Sequence, residues 1–219
     1  MIDVSKYNII DLTLPLNESI RGYDYEIART VVKDGWNAGT IHLYSHSGTH
    51  MDAPYHFEVS NETIDQFTPD QLVVTAWVVN IAIQQNQQLL TIADLGTVAD
   101  DFVIGDSLLL RTNWHKTLAD YDKYRNQLPR ISEELANWCV EKKVNILGVE
   151  PPSVADVNNL EEVTHIHHIL LKGSVIIVEG LAYLDKIRAE KVTLIALPLK
   201  IAGGDGAPAR VIALEQRKI

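Results

Sequence analysis

The chain has 219 residues, 46% of them hydrophobic, which is enough for one domain with a sizeable core. Acidic residues outnumber basic ones 29 to 19, giving a formal net charge of −10, so a partner held through its phosphate backbone is a poor fit and no nucleic acid is expected. The longest apolar stretch, 72–83, is broken by Thr75 and Asn80 and is shorter than the roughly 20 residues that cross a bilayer, so no membrane partner is expected either.

From the N-terminus, residues 1–20 carry Asp3, Asp11 and Glu18 and lack the cationic and apolar segments of a secretory signal, which fits a cytoplasmic protein. Apolar, β-rich runs follow at 9–16, 39–44, 72–83, 107–112, 145–149, 174–179, 192–198 and 209–214. Several are rich in Val and Ile without clean alternation, as expected of strands covered on both faces. Thr91 to Leu95 reads as a short capped turn. Ser132 is a good N-cap for a helix of about three turns, with Glu133 and Glu134 in the first turn, where the helix dipole favours acids. A second helix is predicted from Glu161 or Thr164 to Lys172, closing at Gly173 in the left-handed conformation. There is no linker and no repeat, so residues 1–219 are expected to form a single α/β domain with a mixed sheet and few helices.

Cys139 is the only cysteine, so no intrachain disulfide can form and any metal site must be built from histidine and carboxylate. Its place on the predicted helix, between Trp138 and Val140, fits buried packing better than a nucleophile. The eight histidines are unevenly spread: His42, His46, His50 and His56 fall within fifteen residues, His165, His167 and His168 within four, and His115 stands alone.

Residues 45–57 read SHSGTHMDAPYHF. His46, His50, Asp52 and His56 share one parity, so an extended backbone projects them to one side, while Gly48 and Pro54 allow bends that gather them around a point. Three imidazoles and a carboxylate on one side suit zinc or manganese. His42 precedes this motif without a carboxylate at ligand spacing and reads as an ordinary strand histidine. A serine hydrolase is disfavoured, because G-x-S-x-G is absent.

The run His46, Gly48, Thr49, His50, Asp52, Pro54, His56 resembles in full the signature H-x-G-T-H-x-D-x-P-x-H of the metal-dependent cyclase-like hydrolases, whose best-known enzyme is bacterial kynurenine formamidase (arylformamidase) of tryptophan catabolism. The resemblance extends to 11–16 (DLTLPL), 110–112 (LRT) and 203–210 (GGDGAPAR). It implies a barrel-like core of the swivelling β/β/α type, one or two zinc ions with manganese as the alternative, and a homodimer or higher oligomer. It further implies that His46, His50 and Asp52 bind a first metal, that Asp52 also reaches a second, and that His56 carries the proton.

In this family a second-metal histidine opens an H-x-x-L-L segment, followed by a glutamate at the end of the next strand. His167, Leu170 and Leu171 fit that pattern, which makes His167 and Glu179 the remaining ligands, Glu179 able to bridge. His168 is the alternative, about 100° further round a helix, and His165 a weaker one. A glutamate after the apolar run 175–178 is costly to bury unless it is paired or metal-bound. Glu150 reads as a residue at the rim of the site. Asp205 reads as loop support, with Arg210 as its ion-pair partner.

The implied reaction is hydrolysis of an N-formyl or other small amide by metal-activated water. A cyclic amide of the isatin kind is the alternative substrate, and a non-catalytic metal-binding protein the alternative from another class. Where the kynurenine enzymes carry a tryptophan shortly after the opening strand, this chain has Arg21, Gly22, Tyr23, Asp24 and Tyr25.

Overall fold

The computed structural model describes residues 3–217. The strands are β1 (Tyr7–Asp11), β2 (Tyr23–Arg29), β3 (Ala38–Leu43), β4 (His50–Asp52), β5 (Val73–Asn80), β6 (Leu89–Leu90) and β7 (Ser107–Arg111). They continue with β8 (Arg130–Ile131), β9 (Ile146–Val149), β10 (Ile176–Glu179), β11 (Lys191–Pro198) and β12 (Gly206–Gln216). Among the described residues the α-helices are α1 (Val31–Asp34), α2 (Pro69–Leu72), α3 (Val98–Asp101), α4 (Tyr121–Asn126), α5 (Glu133–Glu141) and α6 (Leu160–Lys172). None is long and apolar enough to cross a membrane.

Seven strands, in the order β12-β11-β5-β7-β9-β10-β4, close into a barrel because β4 pairs with both β10 and β12. The mixed, barrel-like core with few helices is the architecture expected from the sequence. β12 is long enough to serve two partners along one edge: its start pairs with β4 and its end with β1. The β5, β7, β9 and β10 pairings are parallel, and the rest of the barrel is antiparallel.

Alternation along the apolar strands feeds two separate cores. Leu109, Ile176 and Val178 point into the barrel with Met51 and Val211, whereas Leu108, Leu110 and Ile177 pack outward beneath α5 and α6. Both faces are therefore covered, which is why these strands show no polar face in the sequence.

Two expectations are corrected and a third is extended. The run 9–16 is strand only to Asp11, with an isolated bridge from Thr13 to Leu181, because the chain turns so that the Leu14 amide can donate to Thr49 Oγ1 at 2.9 Å. The strand expected at 39–44 is present as β3, and it pairs in a hairpin with β2, a partner that the sequence does not reveal because the hairpin buries neither face. Gly173 follows α6 as expected but has φ −78°; the left-handed residue is Ser174, at φ +59°.

Close helix packing explains the glycine instead. A Cβ at Gly173 would lie 2.3 Å from Val140 Cγ2 on the end of α5. The other helix predictions hold: Ser132 Oγ accepts the Leu135 amide at 3.0 Å at the start of α5, and the Thr91 turn is a 3₁₀ segment, Ile92–Leu95. α6 begins one residue earlier than expected because Asn159 accepts the Glu162 amide at 3.2 Å. Gly173→Ala should destabilise the protein by roughly 1–3 kcal/mol in denaturant unfolding, and Val140→Ala should restore part of that loss in the double variant. Additive losses would disprove the contact.

Candidate metal centre

β4 supplies the middle of the site. In its sequence His-Met-Asp, strand alternation sends Met51 into the barrel core and turns His50 and Asp52 to the opposite face. The register with β10 sets Glu179 directly across from His50, so the two side chains share that face. His50 Nε2 lies 3.2 Å from Glu179 Oε2. The strands can approach there because Gly180, at φ +66°, has no Cβ; one would meet the Gly48 carbonyl oxygen at 2.3 Å.

α6 brings His167 over the same point, its Nε2 3.6 Å from Asp52 Oδ2 and 3.4 Å from Glu179 Oε1. His46, in the loop before β4, sets Nδ1 2.9 Å from Asp52 Oδ1. Three groups of ligand atoms result among the described residues, His46/His50/Asp52, Asp52/His167/Glu179 and His46/His56/Asp205; Asp52 joins the first two, and His46 joins the first and third.

The hydrogen bonds around these groups determine what they lack. His50 Nδ1 lies 3.0 Å from the Gly48 carbonyl and His167 Nδ1 2.6 Å from the Val163 carbonyl. A carbonyl only accepts, so each Nδ1 carries hydrogen, and a ring that holds no second proton turns a bare Nε2 lone pair towards carboxylate oxygens. This outer support is what metal-binding histidines require. Asp52 Oδ2 is buried with no hydrogen-bond partner. Acceptors facing acceptors around an orphaned carboxylate oxygen need a cation between them, and imidazole and carboxylate donors suit a divalent metal.

In the metal-free protein, protons supply that charge. Burial pushes the His46 imidazole down, but Asp52 on one nitrogen and Asp205 on the other, 2.9 Å from Nε2, outweigh it and raise the pKa to about 9. Burial also opposes the charged form of His167, which Glu179 and Asp52 nevertheless raise. The Asp52 carboxyl stays far below its ordinary range despite burial, because His46, His50 and His167 surround it.

His56 sits on the 3₁₀ turn Pro54–Phe57 directly after β4, stacked on His46 with ring centroids 3.8 Å apart. Its Nδ1 is 3.4 Å from Asp205 Oδ2. Burial, joined by the charges of His46 and His167, lowers its pKa despite the opposing carboxylates Asp52 and Glu179, so the ring is neutral near pH 7. A cavity of about 180 Å³ opens over His46, His56, His167 and Glu179.

All six site residues predicted from the sequence thus come together: His46, His50, Asp52, His56, His167 and Glu179. His168 lies on another side of α6, its Nε2 facing the Phe57 carbonyl at 3.1 Å, and His165 faces Glu133. His42 is an exposed strand residue near Glu26. Asp205 does support the site, through His46 and His56, but its expected ion pair is corrected: Arg210 pairs with Asp11 at 2.7 Å, across neighbouring β12 and β1.

Glu150 is not at the rim. It is fully buried and accepts from Thr112 N, Thr112 Oγ1 and Trp114 N, with His115 Nδ1 2.8 Å from its other oxygen. His115 and Glu150 therefore anchor the loop after β7, a pairing across 35 positions with no local signal. Cys139 is buried and desolvation pushes its thiol up to about 12, which fits packing.

The family model named Cyclase matches residues 10–156, and the chain belongs to that family. It is 28% identical over 210 residues to kynurenine formamidase of Bacillus cereus, covering 93% of this chain and 95% of that protein. It is 29% identical, with the same coverage, to the kynurenine formamidase of Bacillus cytotoxicus. Its fold matches a crystal structure of an isatin hydrolase bound to the product analogue thioisatinate, with a TM-score of 0.88 and 23% identity over 97% of this chain and 94% of the other. Isatin hydrolase A from Ralstonia solanacearum matches with a TM-score of 0.85 and 22% identity over 97% and 93%.

His46 gives the metal-free protein a characteristic pH response. Because its folded pKa is raised from 6.5 to about 9, its stabilising contribution is complete below pH 6.5 and is lost as the pH rises through 9. Thermal unfolding of chelator-treated protein should show that decline, up to roughly 3 kcal/mol. Asp205→Asn should reduce it, and a flat profile would refute the proton-bridged state.

Proposed function

We propose that this chain is a hydrolase that uses a divalent metal to cleave a small amide, with a linear N-formyl amide as its substrate class. His46, His50, Asp52, His167 and Glu179 would hold one or two ions, zinc being the first choice and manganese the alternative. The observation that carries this assignment is the buried, unpartnered Asp52 Oδ2 among histidine lone pairs. Its curated relatives are named for hydrolysis of a formamide, and isatin hydrolases share the fold, which makes a cyclic amide the second substrate class to test.

A bound divalent ion supplies Lewis acidity and a nucleophilic water at neutral pH. Around it the chain's own groups move the protons. His56 is neutral at the start because burial lowers its pKa, so it can take a proton from the attacking water as the new carbon–oxygen bond forms. Asp205 beside Nδ1 steadies the imidazolium that results. When the carbon–nitrogen bond breaks, His56 returns the proton to the departing amine, and the products are a carboxylic acid and an amine. Such a proton carrier is superfluous in a mere metal store.

Three further parts of this assignment rest on narrower support. A single cyclase-like domain over residues 1–219 is supported by β12, which joins the first strand of the chain to the barrel. Homo-oligomerisation, as a dimer or higher, is supported by exposed Tyr25, Ile27, Trp36 and Ile41 on and beside the β2–β3 hairpin, since an isolated two-stranded ribbon is marginal in water. A cytoplasmic location is supported by the lone, buried thiol.

Purified protein should contain about one to two equivalents of divalent metal, and Asp52→Asn should abolish both binding and turnover. His56→Ala should keep the metal and lose turnover by roughly 10²–10⁴-fold. Elemental analysis and assays on N-formylkynurenine beside cyclic and linear amides check these outcomes. A protein that takes up no divalent ion even after reconstitution, or hydrolyses no amide, would refute the function.

A further inference from the structure

The cavity over the cluster has a second chemical feature that amide hydrolysis by itself does not use: Arg21 and Arg125 both line it. Of the chain's eight arginines, Arg29, Arg130 and Arg210 pair with a carboxylate among the described residues, and of the other five only Arg21 and Arg125 line this cavity. Among the described residues neither Arg21 nor Arg125 has an acidic group within ion-pair distance.

Arg125, on α4, is held from behind. Its Nη1 donates to Asn126 Oδ1 at 3.0 Å and to Asn158 Oδ1 at 3.2 Å. Both acceptors are neutral amides, and they are tied to each other, Asn158 Nδ2 donating to Asn126 Oδ1 at 3.1 Å. The charge is therefore oriented without being neutralised. Nε and Nη2 have no protein acceptor among the described residues, and they form the planar edge that matches a carboxylate with two parallel hydrogen bonds. Arg21, exposed at the lip of the cavity, adds a second positive charge.

We infer that the substrate carries a carboxylate of its own, separate from the scissile amide, and that Arg125 receives it with Arg21 assisting. This inference rests on the amide-hydrolase assignment and narrows it to acyl amines that are anionic before cleavage. In this role Arg125 is a specificity residue, which orients the substrate so that its amide lies over the metal cluster.

The test uses metal-loaded protein and three matched pairs: ortho-, meta- and para-formamidobenzoate against the corresponding formamidobenzamides. For at least one pair, wild-type kcat/KM should favour the carboxylate by tenfold or more. Arg125→Gln should shrink that preference by roughly ten- to hundredfold, through KM, with Arg125→Lys in between. No preference in any pair, or a preference that survives in the Arg21→Gln, Arg125→Gln double variant, overturns the inference while amide hydrolysis stands. Calorimetric binding of the same compounds is measured in parallel. If none of the six is hydrolysed, the hydrolase assignment still stands or falls on N-formylkynurenine and the cyclic amides, and binding decides the inference: tighter carboxylate binding that Arg125→Gln weakens tenfold upholds the anion site, and equal binding of each pair overturns it.

Discussion

The site depends on one buried carboxylate that the protein does not neutralise by a fixed cation. Asp52 sits at the meeting point of β4, α6 and the loop carrying His46, and its Oδ2 has no hydrogen-bond partner. With Glu179 also buried nearby, the centre holds negative charge and lone pairs in a region shielded from water. Burying such charge is costly unless a cation joins it. Protons on the histidines meet that need in the metal-free protein, and a divalent ion meets it better, since it accepts several donors at once.

That constraint explains the division of labour in β4. The strand has three residues, too few to stabilise itself, yet it closes the barrel between β10 and β12. Met51 anchors one face in the core while His50 and Asp52 occupy the other. Barrel closure and assembly of the centre are therefore one event, and the absence of a side chain at Gly180 is what lets the strands meet closely enough.

Around the centre, neutral groups orient charged or ligating ones without cancelling them. The Gly48 and Val163 carbonyls fix the histidine tautomers, and the Asn126 and Asn158 amides hold Arg125. Asp205 is the exception, a carboxylate that engages two histidines and so couples His46 to His56.

Local pattern made much of this legible. Residues 46–56 act within a short stretch of chain, where alternation and the turn residues Gly48 and Pro54 dictate which side chains converge, and the Ser132 cap and the apolar strand runs follow equally local rules. The family resemblance extended that reach to His167 and Glu179. The sequence by itself thus determined the chemistry of the cluster, histidine and carboxylate around one strand, and the strand-rich class of fold. Only the tertiary structure decided which distant groups meet: His115 with Glu150, Asp205 with His46, Arg210 with Asp11, and Arg125, without an ion pair among the described residues, lining the same cavity as the histidine and carboxylate cluster. Those contacts arise from strand register and barrel closure, which bring together residues far apart in the chain and leave no periodic trace along it.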